Sequence, residues 1–361
     1  MHKVVTILGT RPEIIKLSPL IPLLDQRFDH TLVHSGQHYS AEMDAVFFEE
    51  LDLKAPVHSL GVGSASHGEQ TARMLARLEP ILLSVKPDLM LVQGDTNTTF
   101  AGGVCAAKLG IPVVHLEAGG RSFNRQMPEE LNRILVDHLS ALLLAADEVA
   151  HRNLQAEGLP EAIIRVIGST AIDAVERNRH RAEQVSNILE RMELRPGGYL
   201  AMTLHRAENT EPTVLPGMLA ALEQIAQQYP LIFPVHPRTA AAMRQQGLNM
   251  PESIRTCEPL GYLDTLKLVG NAQALLTDSG GLQEEAATMG TPVLLLRNET
   301  EWRYLTEAGA AVLIGNSQET ILAGAERWLQ PAGIDQIRNA KAPIWAGASE
   351  RAAQAMAELV G

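Results

Sequence analysis

Short apolar runs recur along the chain at even intervals. In the first half they cover residues 4–8, 31–34, 89–92, 113–116, 142–145 and 165–167; in the second, 200–204, 232–235, 254–257, 275–277, 293–296 and 312–314. Each is bounded by Gly, Pro or a polar residue, the pattern of strands buried on both faces of a parallel sheet. Stretches of helical period lie between them, such as 69–84 and 217–228, and 171–195 reads as one long polar helix. This alternation predicts an α/β architecture with right-handed crossovers. Arg195-Pro196-Gly197-Gly198 breaks the chain before a fresh strand. Two doubly wound parallel-sheet domains of similar size are therefore expected. The first takes residues 1–168 and, through an amphipathic tail helix at 349–360, also 341–361; the second takes 169–340.

Composition narrows the class. Of 361 residues 45% are apolar and 20% charged, enough for a core in about two domains. The formal charge of −12, with no block of Lys and Arg, counts against a nucleic-acid partner and against a membrane surface. It leaves an anionic small ligand open, because local Arg and His can hold one. Cys105 and Cys257, the only cysteines, stand far apart, which excludes a disulfide scaffold and a thiolate zinc site and fits a reducing compartment. No apolar run approaches the ~20 residues of a membrane span, and the opening run is too short for a signal peptide. A cytoplasmic protein is expected.

Ligands of open α/β sheets bind beyond the carboxyl ends of strands. After the first run comes Gly9-Thr10-Arg11-Pro12-Glu13, followed by Lys16, which reads either as an anion site of backbone N–H groups and cations or as a capped helix with surface charges. Asp95 and Glu117 follow two further runs, and Glu129 opens a helix. Three carboxylates converging there would repel one another, so at least one should favour its protonated form, as general acid/base work needs. Helix capping by Asp95 and a first-turn position for Glu129 are the plainer alternative, which leaves Glu117 unexplained. The second half places cations at its strand ends, in His205-Arg206 and His236-Pro237-Arg238, and a glycine-rich helix start in Asp278-Ser279-Gly280-Gly281. The latter is a phosphate cradle, with Glu285 one turn further in toward a ribose diol, unless the glycines are only a loop and His236 a satisfied polar residue.

Taken together and in order, the segments 9–13, 93–96, 117–122, 128–133, 205–209, 278–285 and 300–302 resemble the non-hydrolysing UDP-N-acetylglucosamine 2-epimerases. The resemblance implies a GT-B-like fold, two Rossmann-type domains with a cleft between them. It implies interconversion of UDP-N-acetylglucosamine and UDP-N-acetylmannosamine with no cofactor and no metal: UDP and the C2 proton are eliminated to give 2-acetamidoglucal, and UDP adds back after reprotonation on the other face. On that model Asp95, Glu117 and Glu129 are the acid/base set and His205 the catalytic-site histidine. Arg11 and Lys16 are the diphosphate-side cations, Arg206, His236 and Arg238 also bind substrate, and Ser279, Gly280, Gly281 and Glu285 contact phosphate and ribose. Gln37 and His38 match part of a second nucleotide-sugar site found in many members. The partners implied are a UDP-sugar and a second copy in a homodimer.

The chain departs from the family pattern at Gly120, where Leu is frequent, at Thr265, at Arg303-Tyr304 and in the tail 342–347. Some relatives act on UDP-2,3-diacetamido sugars, so the sugar stays open. Competing readings are a GT-B glycosyltransferase, which needs no three carboxylates, a hydrolysing epimerase, and a nucleotide-sugar sensor without catalysis.

Overall fold

The structure, a computed structural model, describes residues 1–37, 47–300, 302–342 and 345–361. The chain divides into two compact units, Met1–Ala174 with Trp345–Gly361, and Val175–Ile344. The first unit holds β1 (Lys3–Leu8), β2 (Asp29–His34), β3 (His58–Ser59), β4 (Leu89–Gln93), β5 (Val113–Ala118), β6 (Leu142–Ala145) and β7 (Ile164–Val166). They pair in parallel in the order β3-β2-β1-β4-β5-β6-β7. The second holds β8 (Leu200–Thr203), β9 (Leu231–Pro234), β10 (Ile254–Cys257), β11 (Ala274–Thr277), β12 (Val293–Leu295) and β13 (Ala311–Leu313), all parallel, in the order β10-β9-β8-β11-β12-β13. In both sheets the order reverses once, between β1 and β4 and between β8 and β11. In open α/β sheets such a reversal leaves a crevice beyond the strand ends, where ligands bind.

The apolar runs form strands because both faces of each sheet are covered. All five residues of β4 are buried, and Met74, Leu78 and Leu82, one turn apart on the helix His67–Val85, cover one face of the first sheet. Each such side chain contributes about 1.5–3 kcal/mol on burial. All twelve expected runs are strands to within two residues; β3, a two-residue edge strand, carries no apolar signal. The long polar helix expected at 171–195 is broken. It runs Thr170–Val185, and a short helix Ile188–Arg191 follows. Polar contacts from a neighbouring helix end it. Lys267 Nζ donates to the carbonyls of Glu183 and Ser186, at 3.1 and 2.6 Å, and Ser186 Oγ donates to Asp264 at 2.5 Å. No helix among the described residues is long and apolar enough to cross a membrane.

The last helix, Ala348–Val360, belongs to the first unit. It buries Ala348, Ala352, Ala353 and Met356 and packs on the helix Ile21–Arg27, where Arg27 pairs with Glu350. Its start is capped from a distance: buried Asp173 accepts the N–H groups of Gly347 and Ser349, each at 2.6 Å. Asp173→Ala is expected to cost about 1.5–3 kcal/mol of unfolding free energy, the range for hydrogen bonds to a charged group. Urea denaturation measures it, and a loss near zero would show the cap to be idle.

Candidate active site

In the first unit Gly9 follows β1, at a place where a side chain has no room: a Cβ there would lie 1.8 Å from Ser35 Oγ. The amides expected to hold an exogenous anion are already used. Glu13, buried at the first turn of the helix Arg11–Leu17, accepts from Gly9 N–H, Thr10 N–H and Thr10 Oγ1 at 2.8, 2.8 and 2.9 Å, and from Thr96 Oγ1 at 2.7 Å. Burial raises the Glu13 pKa, against the Thr96, Gly9 and Thr10 hydrogen bonds. The Gly9 and Thr10 amides thus serve the capped start of this helix. Arg11 stacks its guanidinium 4.6 Å from the centre of the Phe47 ring.

Glu117 is the unusual residue. It stands in β5 with φ of +66°, where the β5–β6 register shifts between Leu116 and Ala118. An L residue pays about 1–2 kcal/mol for this backbone, and such strain concentrates at functional sites. Lys16 Nζ lies 2.8 and 2.9 Å from the two Glu117 carboxylate oxygens, and Gln93 Nε2 donates to one of them at 2.8 Å. Lys16 therefore meets a carboxylate of its own unit. A Cβ on Gly94 would stand 3.7 Å from Glu117 Oε2, so Glu117 reaches the turn that carries Asp95.

Asp95 does not cap the following helix; Thr96 does, accepting from Thr99 N–H. Instead Asp95 pairs with Arg133, and its carbonyl accepts from Asn132 Nδ2 at 2.9 Å. The repulsion expected between converging carboxylates is thus met by cations, Lys16 for Glu117 and Arg133 for Asp95. Glu129 lies exposed in the first turn of the helix Pro128–Leu139 and hydrogen-bonds to no other site side chain among the described residues. Its neighbour Glu130 is buried and accepts from Ser122 N–H and Phe123 N–H, each at 2.9 Å. Burial opposes its ionisation, but those N–H groups, the Ser122 hydroxyl and Arg133 hold its pKa below the ordinary value. Gln37 is buried and turned inward, Oε1 accepting from Thr98 N–H and Oγ1 at 3.1 and 2.7 Å. His38 lies outside the described residues.

In the second unit the centre is Asp278, fully buried directly after β11. Its Oδ2 accepts the N–H groups of His205 and Arg206, both at 2.8 Å, and Asn209 Nδ2 at 3.2 Å, while His205 Nδ1 stands 2.9 Å from Oδ1. Burial pushes its pKa up, but His205 and the two N–H groups outweigh that and hold it below the ordinary value. The result is a rigid turn after β8. Arg206 Nε donates to the Asp278 carbonyl, and a Cβ on Gly280 would come 3.3 Å from Arg206 Nη2 and 3.6 Å from Trp302 Nε1. Cation and indole N–H thus flank the start of the helix Gly280–Thr288, capped by Ser279, with open space at Gly281. Glu285 is partly exposed on its second turn, while Glu284 is buried and accepts from Tyr304 OH at 2.8 Å. His236 caps the helix Pro237–Gln246, accepting Arg238 N–H at 3.1 Å, and packs 5.1 Å from the His205 ring. Burial, then the neighbouring His205 and Arg238, lowers its pKa. Arg238 Nη1 donates to the His205 carbonyl at 3.0 Å.

A family model described as UDP-N-acetylglucosamine 2-epimerase matches residues 23–357. The chain belongs to the UDP-N-acetylglucosamine 2-epimerase family. Within it, the UDP-N-acetylglucosamine 2-epimerase of Methanococcus maripaludis is 45% identical over 340 residues, 91% of this chain and 92% of that protein. The UDP-2,3-diacetamido-2,3-dideoxy-D-glucuronate 2-epimerase of Pseudomonas aeruginosa is 38% identical over 329 residues, 90% of this chain and 91% of that protein. A solved structure of the Methanocaldococcus jannaschii UDP-GlcNAc 2-epimerase in complex with UDP-GlcNAc and UDP is similar at a TM-score of 0.85 and 42% identity, covering 99% of both chains. The GT-B-like α/β class expected from the sequence is that of these epimerase-family structures.

Sequence reading passed over Glu13, Gln93, Glu130, Arg133 and Asp278 as site builders. Only Asp278 carried a local signal, its place between a strand and a Ser-Gly-Gly helix start. Asp278→Asn is expected to cost about 2–3 kcal/mol at neutral pH. Its folded pKa is depressed below the ordinary 3.8, so the unfolded chain binds the proton more readily and stability rises with pH through that window. The Asp278 contribution is therefore complete above the ordinary value and lost as pH falls through the folded one. Urea denaturation of both proteins at neutral pH and near pH 3 tests this; an equal difference at both would refute it.

Proposed function

We propose that the protein interconverts UDP-N-acetylglucosamine and UDP-N-acetylmannosamine by elimination and re-addition of UDP. The C2 proton of the sugar is not acidic, so a base acts well only if the leaving group is stabilised as the C1–O bond breaks. In this reading the Ser279–Gly280 helix start and Arg206 hold the diphosphate, and a carboxylate base removes the C2 proton as UDP leaves and a C1–C2 double bond forms. A second acid delivers a proton to the opposite face of C2 as a UDP oxygen returns to C1. The observation that carries this, in a member of this family, is Glu117: a strained backbone position holding a carboxylate against Lys16 and Gln93, beside the Asp95 turn. Glu129, His205, Arg11, His236, Arg238 and Glu285 keep the roles the resemblance implies.

The Pseudomonas aeruginosa relative supports a second reading, the same reaction on a UDP-2,3-diacetamido sugar. Proton NMR of the protein with each UDP-sugar in deuterated water separates these. The first reading gives deuterium at C2 of a UDP-linked product from UDP-N-acetylglucosamine; turnover of the diacetamido sugar alone supports the second. Release of free sugar, or no incorporation from either, removes both.

A homodimer is part of the proposal. On the helix Pro128–Leu139 the apolar side chains Leu131, Leu135 and Leu139, with Met127 just before it, are 38–49% exposed and recur every four residues on one face, the one we assign to a second copy. Leu135→Glu is expected to yield monomers by light scattering at concentrations where the unaltered protein is dimeric; a monomeric unaltered protein, or an unchanged dimer in the variant, rules this face out.

Glu117→Gln and Asp95→Asn are expected to lower turnover ~10²–10⁴-fold, the usual cost of losing a general acid or base, with UDP affinity unchanged. Arg206→Ala is expected to weaken UDP binding by about 1.5–3 kcal/mol in calorimetry. Near-normal turnover in Glu117→Gln would remove the chemistry proposed for it.

A further inference from the structure

One carboxylate grips the chain on both sides of Glu117. Asp137, on the third turn of the helix Pro128–Leu139, is fully buried. Its Oδ1 lies 2.6 Å from His115 Nδ1, and its Oδ2 accepts Gly119 N–H at 3.2 Å and Arg121 Nη2 at 2.6 Å. His115 stands two residues before Glu117 and Gly119 two residues after it. The bulge that turns Glu117 to positive φ is thus tied at both ends to one side chain. The buried Arg121 is itself held from behind by Glu157, with Nε–Oε1 and Nη2–Oε2 both 2.7 Å.

The tie extends to the other candidate carboxylate. His115 Nε2 lies 2.8 Å from the Gly94 carbonyl, which only accepts, so Nε2 carries a proton. Gly94 immediately precedes Asp95. We propose that Asp137 is a positioning residue: it holds Glu117 in its left-handed backbone and, through His115, fixes the turn that presents Asp95. The roles of Glu117 and Asp95 rest on the proposed function; the backbone grip does not.

Asp137→Ala removes every acceptor of this grip. Gly119 N–H and Arg121 donate to one oxygen and His115 Nδ1 lies against the other, and a methyl group meets none of them. Asn is the milder change: its Oδ1 accepts from Gly119 and Arg121, and its NH₂ donates to a neutral His115 whose Nε2 keeps the proton given to Gly94. Asp137→Ala is expected to lower kcat by roughly 10²-fold, as small misplacements of catalytic groups do, with KM and UDP affinity changed less than about twofold. A kcat close to that of the unaltered protein, or a loss confined to KM, would overturn the proposal.

A second measurement does not depend on the reaction. Glu117→Gly accepts positive φ without strain and Glu117→Ala does not, so the Gly variant should have the higher urea midpoint. In the Asp137→Ala background residue 117 is released, and that advantage should vanish; an undiminished advantage would overturn the proposal. If Asp137→Ala does not fold, the same pair is compared in His115→Gln, which leaves the Arg121 and Gly119 contacts, and an undiminished advantage there counts equally against it. Because both variants at 117 lack the carboxylate, this arm still judges the grip if Glu117→Gln proves active and the proposed chemistry fails.

Discussion

A carboxylate taken out of water has to be met donor for donor, and in the first unit that requirement organises everything near the strand ends. Removing one partner from a buried ion pair costs about 3–5 kcal/mol, a large part of the 5–15 kcal/mol that holds a domain folded. Three buried acids impose it here. Glu13 closes the turn after β1, Glu130 closes the loop at Ser122 and Phe123, and Asp137 closes the bulge in β5. Two of the three lie on the same buried face of the helix Pro128–Leu139, with Arg133 between them. That helix carries ion pairs inward and leucines outward, so one segment serves both the site and the exposed apolar face.

The two units share a topology and use it differently. Each reverses its strand order once, and each collects polar residues beyond the strands flanking the reversal. In the first unit the acids at those ends are paired with cations, Glu117 with Lys16 and Asp95 with Arg133. In the second, Asp278 is withdrawn into the interior, where it orders two backbone N–H groups, and the cations and a capped helix start remain outside. The shared fold does not explain this division; the side chains do.

Much of the fold was legible because strands buried on both faces announce themselves as apolar runs, whatever their neighbours. What failed depended on partners distant in sequence. Nothing local marks Ser186 as a helix end, since Lys267 and Asp264 end it. Asp95 and Glu117 stood out from their places after apolar runs, and the Ser279 helix start from its glycines. Glu129 and Glu130, adjacent and identical, could not be told apart by pattern, and only packing shows which faces inward. The anion site read into Gly9 and Thr10 failed for a related reason: the sequence offers N–H groups there, but the chain supplies its own anion in Glu13.

The last helix carries a consequence for how the protein comes into being. The first unit's hydrophobic interior is closed by residues 348–360, which follow the whole of the second unit along the chain. Folding during synthesis ordinarily runs from the amino terminus onward, domain by domain. Here that order is inverted: the unit begun first on the ribosome is finished last. Until then the face of the helix Ile21–Arg27 that the last helix covers stays open.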